Sequence, residues 1–422
     1  MASATPAPAV LHLSGVVGGE LWSADGGKVG RLEDLIVRLG DDGYPPVTGL
    51  LARIAGREVF VPAESVSELG YDRTTLHDVQ FDLRPFERRP QEVLLRKDVL
   101  DRQLINVDGA RLVRSNDIEL ARLEGWYRVV GVDTGLRGFA RRLLPRPLAR
   151  GIGPGSFLDW ASVEPFTGHV PTVRLRIPHP KLARLHPAQL ADLVEAASHD
   201  EGEEIIEAVG SDPELEADVF EELGAQHQRE FIEEWTDEEV AELMARMESD
   251  DAADLVAELP EERRERVIEL LPPVQRRRLR ALLGFDAATA GGLMSPDFVC
   301  FYGQATQAEV LDRLRSSRVP ADALAWIFVM NTRKRLTGAI ALADLLRADP
   351  GLPIGDVAGS PQRVRADADL EEVARLMTDF DLSVAPVTDD DERLIGVITV
   401  DDVLELVVPR GWRRRFGLFG DD

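Results

Sequence analysis

Residues 236–260 read TDEEVAELMARMESDDAADLVAELP, and the spacing within them decides how the middle of the chain is built. Val240, Leu243, Met244 and Met247 recur at helical intervals, and Leu255, Val256 and Leu259 repeat the pattern one segment later. Thr236-Asp237-Glu238-Glu239 is a helix start, a capping hydroxyl followed by carboxylates over the positive end of the helix. Ser249-Asp250-Asp251-Ala252-Ala253-Asp254 then sets Asp250 and Asp254 four residues apart, on one helical face. Two carboxylates so placed repel each other, and a bridging cation removes that cost. A carboxylate-rich face kept for solubility is the alternative reading of the same residues.

The same grammar extends from Lys181 to Leu283, which reads as helical throughout. Segment starts recur near His186, Ser211, Thr236 and Pro260, a period of about 25 that implies stacked helix pairs in a short solenoid. From Asp200 to Glu262 the chain carries 25 acidic residues against Arg229 and Arg246, so this stretch holds −23 of the formal net charge of −26. A folded unit with that much like charge repels itself unless something positive lies nearby. For oxygen ligands on rigid helices the fitting counterweight is a hard divalent cation, Mg2+ or alternatively Mn2+.

The 422 residues exceed what one core accommodates, and a composition 44% hydrophobic and 29% charged is that of a globular protein. No apolar run approaches the ~20 residues that span a bilayer. Met1 to Val10 lacks the charged and apolar regions of a signal peptide, so a cytoplasmic location is expected. The single cysteine, Cys300, excludes internal disulfides and multi-cysteine zinc sites, and beside Phe298 and Phe301 it reads as core filler. Neither a nucleophile–base pair nor a phosphate-cradling glycine loop is visible, so no enzyme is expected.

Toward the N-terminus, short β-branched runs alternate with turns. Asp25-Gly26-Gly27 is a hairpin turn into Lys28-Val29-Gly30-Arg31-Leu32, and Glu58 to Pro62 closes the unit. The pattern then returns. Leu21 to Gly26 is echoed by Leu104 to Gly109, Asp34 by Asp117, and Val61 to Val66 by Asp159 to Glu164. Two copies of a small β-barrel are predicted, over 13–85 and 90–178. Their turn and late strand resemble the PRC-barrel family, which implies binding modules rather than catalysts. In the second copy, Arg137 to Arg150 alternates arginine with Phe and Leu. That loop suits an anionic membrane surface, nucleic acid, the chain's own acidic stretch, or simply solvent. The overall negative field opposes a polyanion, so no nucleic-acid partner is expected.

Ala281 to Asp286 followed by Thr289-Ala290-Gly291-Gly292-Leu293-Met294-Ser295-Pro296-Asp297-Phe298-Val299 is similar to the junction between the N domain and the CBS domains of MgtE-type magnesium channels. The acidic helical repeat before it, 181–284, looks like the MgtE N domain. Two α/β repeats of the CBS kind follow, at 294–356 and 357–408. The resemblance completes the predicted fold class: multidomain α+β, with two PRC-like β-barrels, a helical solenoid and a tandem CBS pair.

The resemblance implies that cytosolic Mg2+ binds between the acidic domain and the CBS pair. Metal ligands are then expected at Asp250, Asp251 and Asp254 in the helices, and the family's CBS ligands fall on Asp369, Glu371, Asp381, Asp402 and Glu405, all acidic here. The Gly-x-x-Thr-x-x-Asp stretch, which in CBS pairs faces a nucleotide's ribose and phosphates, is complete at Thr399 and Asp402. In the first repeat Ala341 replaces the hydroxyl while Asp344 is kept. ATP or AMP is the implied nucleotide, and a homodimer through the CBS domains the implied assembly. In the family an acidic connecting helix and a membrane domain follow. Here 409–422 reads as a basic aromatic tail, with Arg410, Arg413, Arg414 and Arg415 among Trp412, Phe416, Leu418 and Phe419. The expectation is a sensory half without a pore, acting on a separate membrane transporter or channel subunit. The tail and the Arg137–Arg150 loop are its candidate contacts with an anionic membrane. The alternative is an adenine-nucleotide-sensing scaffold whose acidic region serves solubility alone.

Overall fold

The computed structural model describes residues 10–40, 43–77, 87–135, 137, 156–166 and 181–408. The basic tail and, apart from Arg137, the Arg137–Arg150 loop lie outside the described residues. The chain divides into two compact units that meet at Asp212 and Pro213.

The first unit is β-rich. Its first module is a seven-stranded sheet in which Lys28–Arg38 pairs antiparallel with Val47–Ile54 and with Glu20–Ser23. The predicted turn forms there, with Gly26 at φ +87°, a conformation that costs glycine nothing. The Gly27 N–H donates to Asp25 Oδ1 at 3.2 Å. The second module repeats the order with Gln103–Asn106 against Arg111–Arg114, then Asp117–Leu123 against Trp126–Asp133.

The two modules exchange their leading segments. Leu11–His12 pairs with Asp117–Leu123 of the second module, while Glu92–Leu94 pairs with Lys28–Arg38 of the first. The echoed aspartates lock both exchanges. Asp117 accepts from the Ser14 N–H at 3.1 Å and the Ser14 hydroxyl at 2.6 Å, at the start of the Leu13–Val16 helix. Asp34 accepts from the N–H groups of Arg96 at 2.8 Å and Lys97 at 3.1 Å, in the Leu95–Val99 turn. Each lead strand covers a sheet edge that the other module leaves unpaired. One hydrophobic core runs through both, from Leu13, Leu21 and Leu35 to Ile118, Val132 and Val163. The helices Pro187–Ala196 and His199–Val209 complete this unit.

The second unit begins with six helices: Pro213–Glu221, Ala225–Glu234, Asp237–Met244, Ser249–Glu258, Glu261–Leu270 and Pro273–Leu282. Each packs on the next but one, which makes two rows of a solenoid. The predicted stripes face inward, with Val240, Leu243, Leu255 and Val256 each under 4% exposed. Burying each such side chain stabilises by about 1.5–3 kcal/mol. The capping box forms, with the Thr236 N–H donating to Glu239 Oε2 at 2.8 Å and the Glu239 N–H returning to Thr236 Oγ1 at 3.2 Å.

Two short α/β repeats follow. In the first, Cys300–Tyr302 runs parallel to Trp326–Met330, which pairs antiparallel with Leu336–Ala341. In the second, Val364–Arg365, Val384–Thr388 and Leu394–Thr399 reproduce that order. The string 289–299 joins helices to repeats. A Cβ at Gly291 would lie 2.4 Å from the Phe285 ring, and one at Gly292 would lie 2.3 Å from the Asp286 carbonyl oxygen. Gly292, blocked by backbone, therefore excludes a side chain, whereas Gly291 admits one only if the Phe285 ring moves aside. Ser295 then exchanges backbone hydrogen bonds of 2.8 and 2.9 Å with Val397, tying the linker to the second repeat.

Candidate metal centre

The Ser249–Glu258 helix starts without a side-chain cap, and carboxylates crowd its first turn. Asp250 Oδ1 is fully buried and has no hydrogen-bond partner. Burial pushes Asp250 up to about 7, with the Asp402 and Asp297 charges adding to the shift, against hydrogen bonds to the carboxyl group from its own N–H and the Ser295 side chain that lower it. Asp251 rises well above the ordinary aspartate range through burial and the charges of Asp250, Glu221, Glu248 and Glu405. Glu248, the residue before this helix, is pushed to about 8 by burial and by Asp250, Glu221, Asp322 and Asp402. Glu221, at the end of the Pro213–Glu221 helix, reaches about 7 although it accepts the Glu248 N–H at 2.6 Å. Across from the helices, Asp402 is raised by burial and by Asp322 and Asp401. Asp254 lies at the exposed rim and is raised by partial burial and by Glu258 and Glu405.

The chain thus gathers carboxylates from the solenoid, the first repeat and the second repeat around one locus. Two ionised carboxylates at ~4 Å repel by about 4 kcal/mol in a partly buried setting. In this arrangement the repulsion is relieved by protonation or by a cation. Oxygen-only donors, several of them anionic and fixed on helices, fit Mg2+ or Mn2+ and do not suit soft metals. The orphaned Asp250 oxygen is the observation that favours an ion over mere surface acidity, because buried polar atoms almost always find partners.

Of the sequence-predicted ligands, Asp250, Asp251, Asp254, Asp402 and Glu405 lie within electrostatic reach of the same cluster, although no three of them bring their carboxylate oxygens within 4.8 Å of one another. Asp369, Glu371 and Asp381 stand elsewhere. Asp369 caps the Leu370–Asp379 helix by accepting the Glu372 N–H at 2.9 Å, and Glu371 pairs with Arg375 at 2.6 Å. Asp381 is exposed at φ +50° in the turn after that helix. The unpredicted members are Glu221, Glu248 and Asp322. Glu248 adjoins the quoted Ser-Asp-Asp motif, which was a usable signal, whereas Glu221 and Asp322 carry none, since only folding brings them near.

Asp344, Thr399 and Asp402 do not share a site. Asp344 lines a cleft of about 350 Å³ between the repeats, with Trp326, Ala341, Ser360, Phe380 and Pro386. Thr399 and Asp402 form a capping box, with the Thr399 N–H donating to Asp402 Oδ2 at 2.7 Å and the Asp402 N–H returning to Thr399 Oγ1 at 3.3 Å. At Ala341 the corresponding helix start has no side-chain cap.

These elements define a class: an acidic helical domain coupled to a tandem α/β pair, with carboxylates at the seam. Residues 185–288 match the MgtE intracellular N domain, and 290–351 and 354–409 match the CBS domain. The chain carries an MgtE N domain followed by a CBS pair. The magnesium transporter MgtE of Thermus thermophilus is 41% identical over 130 residues, 31% of this chain and 29% of that protein. MgtE of Enterococcus faecalis is 30% identical over 145 residues, 34% and 32% of the two chains. The chain therefore spans less than a third of the length of these relatives. The crystal structure of the cytosolic domain of the Mg2+ channel MgtE in complex with ATP matches with a TM-score of 0.50 and 32% identity, covering 53% of this chain and 92% of that one. The soluble part of a magnesium transporter matches at 24% identity and the same TM-score, a likeness of fold. No helix among the described residues is long and apolar enough to cross a membrane.

Proposed function

We propose that this chain senses Mg2+ and reports it to a membrane transporter carried on a separate polypeptide. The carrying observation is the buried, unpartnered Asp250 oxygen among carboxylates drawn from three parts of the second unit. Glu221, Glu248, Asp250, Asp251, Asp402 and Glu405 would hold the ion, with Asp254 at the rim. Bound Mg2+ supplies positive charge that offsets their repulsion and so favours the seated arrangement of helices on repeats. Mn2+ fits the same donors. Membership in a magnesium-transporter architecture supports the choice of Mg2+, as does the relative solved as a Mg2+ channel's cytosolic domain.

A second reading has its own observation. The Asp344 cleft combines the aromatic residues Trp326, Phe328 and Phe380 with Ser360, Gln362 and one carboxylate in about 350 Å³, and a related domain was solved with ATP. Adenine-nucleotide binding there is compatible with metal sensing. It becomes the main function if metal has no effect. Thermal unfolding with Mg2+, Mn2+, ATP and AMP separates the readings. Saturable stabilisation by Mg2+ beyond that of NaCl at equal ionic strength supports the sensor. Stabilisation by nucleotide alone, in EDTA, replaces it with the scaffold.

A further inference from the structure

We infer that Arg278, acting through Asp297, is a built-in cationic latch that seats the acidic helices on the CBS pair before any metal ion binds. What the latch regulates rests on the metal reading above. The latch itself does not.

The contact is made of three links. Arg278, on the Pro273–Leu282 helix, donates from Nη1 to Asp297 Oδ1 at 2.5 Å. The other carboxylate oxygen of Asp297 accepts the Ser249 hydroxyl at 2.8 Å. Ser249 opens the helix that carries Asp250, Asp251 and Asp254. Asp297 is itself fixed, since its N–H donates to Ser295 Oγ at 3.3 Å and Ser295 is paired with Val397. Val397 lies in the strand Leu394–Thr399, which runs into the helix bearing Asp402 and Glu405. One carboxylate thus ties two solenoid helices to the strand that positions the opposite side of the metal centre.

The chemistry gives this node a purpose beyond packing. Burial is the largest cause that raises Glu221, Glu248, Asp250 and Asp251. The charges that add to it are all carboxylates, Asp402, Glu405 and Asp297 on the side of the repeats among them, so their repulsion acts to lift the helices off the repeats. Arg278 delivers a permanent positive charge to the edge of that cluster, tethered to the chain and independent of ion concentration. Guanidinium suits the task because it stays charged at all relevant pH and its planar fork matches a carboxylate. Asp297 is mostly buried, at 17% exposure, while Arg278 is 42% exposed, so solvent screens the pair from the arginine side. Preorganising the two halves in this way lets an ion bind without first paying to bring them together.

Amide hydrogen exchange on the full chain tests the latch. In EDTA, Arg278→Ala should exchange about fivefold faster than wild type in peptides covering 249–254 and 294–298. Arg278→Lys, which keeps the charge but not the fork, should fall between, and Arg277→Ala, at the exposed neighbouring position, should match wild type. Peptides from Pro213–Glu221 and Val384–Thr388 should stay protected in every variant, since the opening is confined to the seam. Arg278→Ala exchanging like wild type in EDTA overturns the latch, as does faster exchange that spreads through all six helices, which would mean local unfolding. Recovery of Arg278→Ala protection on adding Mg2+ supports both latch and metal reading. Seam opening in EDTA with no recovery on Mg2+ keeps the latch and sinks the metal reading. Mg2+ protection in both proteins, without any difference in EDTA, does the reverse.

Discussion

Asp250 and Asp34 show how much one buried carboxyl determines. Asp250 has an oxygen that nothing satisfies, so neutralising it removes both a desolvation cost and repulsion from Asp402. Asp250→Asn should raise the metal-free melting temperature of the second unit by about 2–6 °C, the equivalent of about 1–2 kcal/mol. The same variant should lose most of its Mg2+ response. Differential scanning calorimetry with and without Mg2+ checks both, and a lower metal-free melting temperature would show that Asp250 is structural. Asp34 has the opposite role. Burial raises it to about 7 in spite of three backbone N–H donors, so the folded module holds a proton that the unfolded chain has released. Because the native state binds more protons in this window, its stability falls as pH rises from about 4 to about 7. Urea denaturation followed by the N-terminal module's fluorescence should show that decline, and Asp34→Asn should flatten it.

Among the elements, the start of the Val400–Val407 helix joins two functions in four residues. Thr399 and Asp402 cap each other, which orients the Asp402 carboxylate toward the cluster as well as starting the helix. Thr399→Val keeps the volume and removes the hydroxyl, at a cost of about 1 kcal/mol to the second repeat. It should also weaken the Mg2+ titration several-fold by loosening Asp402. If stability drops while the titration is unchanged, Asp402 is not held by its cap. The equivalent position in the first repeat is Ala341, at a helix start with no side-chain cap. A family motif thus persists in one repeat as a cap and a candidate ligand orienter, and in the other only as Asp344 beside the cleft.

At the scale of the molecule, the carboxylate cluster couples proton and metal occupancy. Glu221, Glu248 and Asp250 have folded pKa values of about 7, 8 and 7, above those of the free side chains. In metal-free solution these three groups therefore contribute stability that is full below about pH 4 and is lost as pH rises through 7 to 8. Mg2+ binds the deprotonated form, so the increment that it adds to the melting temperature should be larger at pH 8 than at pH 6. An equal increment at both values would place the ion away from these three groups. The reciprocal exchange of lead segments makes the two β-modules one cooperative body with a shared core. Cutting between them, near residue 87, should therefore leave neither half folded by circular dichroism.

The resemblance to a known family marked the tandem α/β repeats, and sequence spacing alone determined the helical period, the inward stripes, the capping boxes and the repeated β grammar. These depend on contacts within a few residues, where spacing and chemistry suffice. The sequence also singled out Asp250, Asp251, Asp402 and Glu405, because helical phase and the family motif mark them. Tertiary structure decided the rest. Asp34 and Asp117 look like ordinary repeat residues until each is seen capping the segment that leads into the other's module. Glu221 and Asp322 became neighbours of Glu248 only through the stacking of helices and repeats, while Asp369 and Glu371 were claimed by a local cap and an ion pair. Which carboxylates share a site is a matter of long-range packing. A linear pattern encodes the face on which a side chain sits, and only the folded chain decides what that face meets.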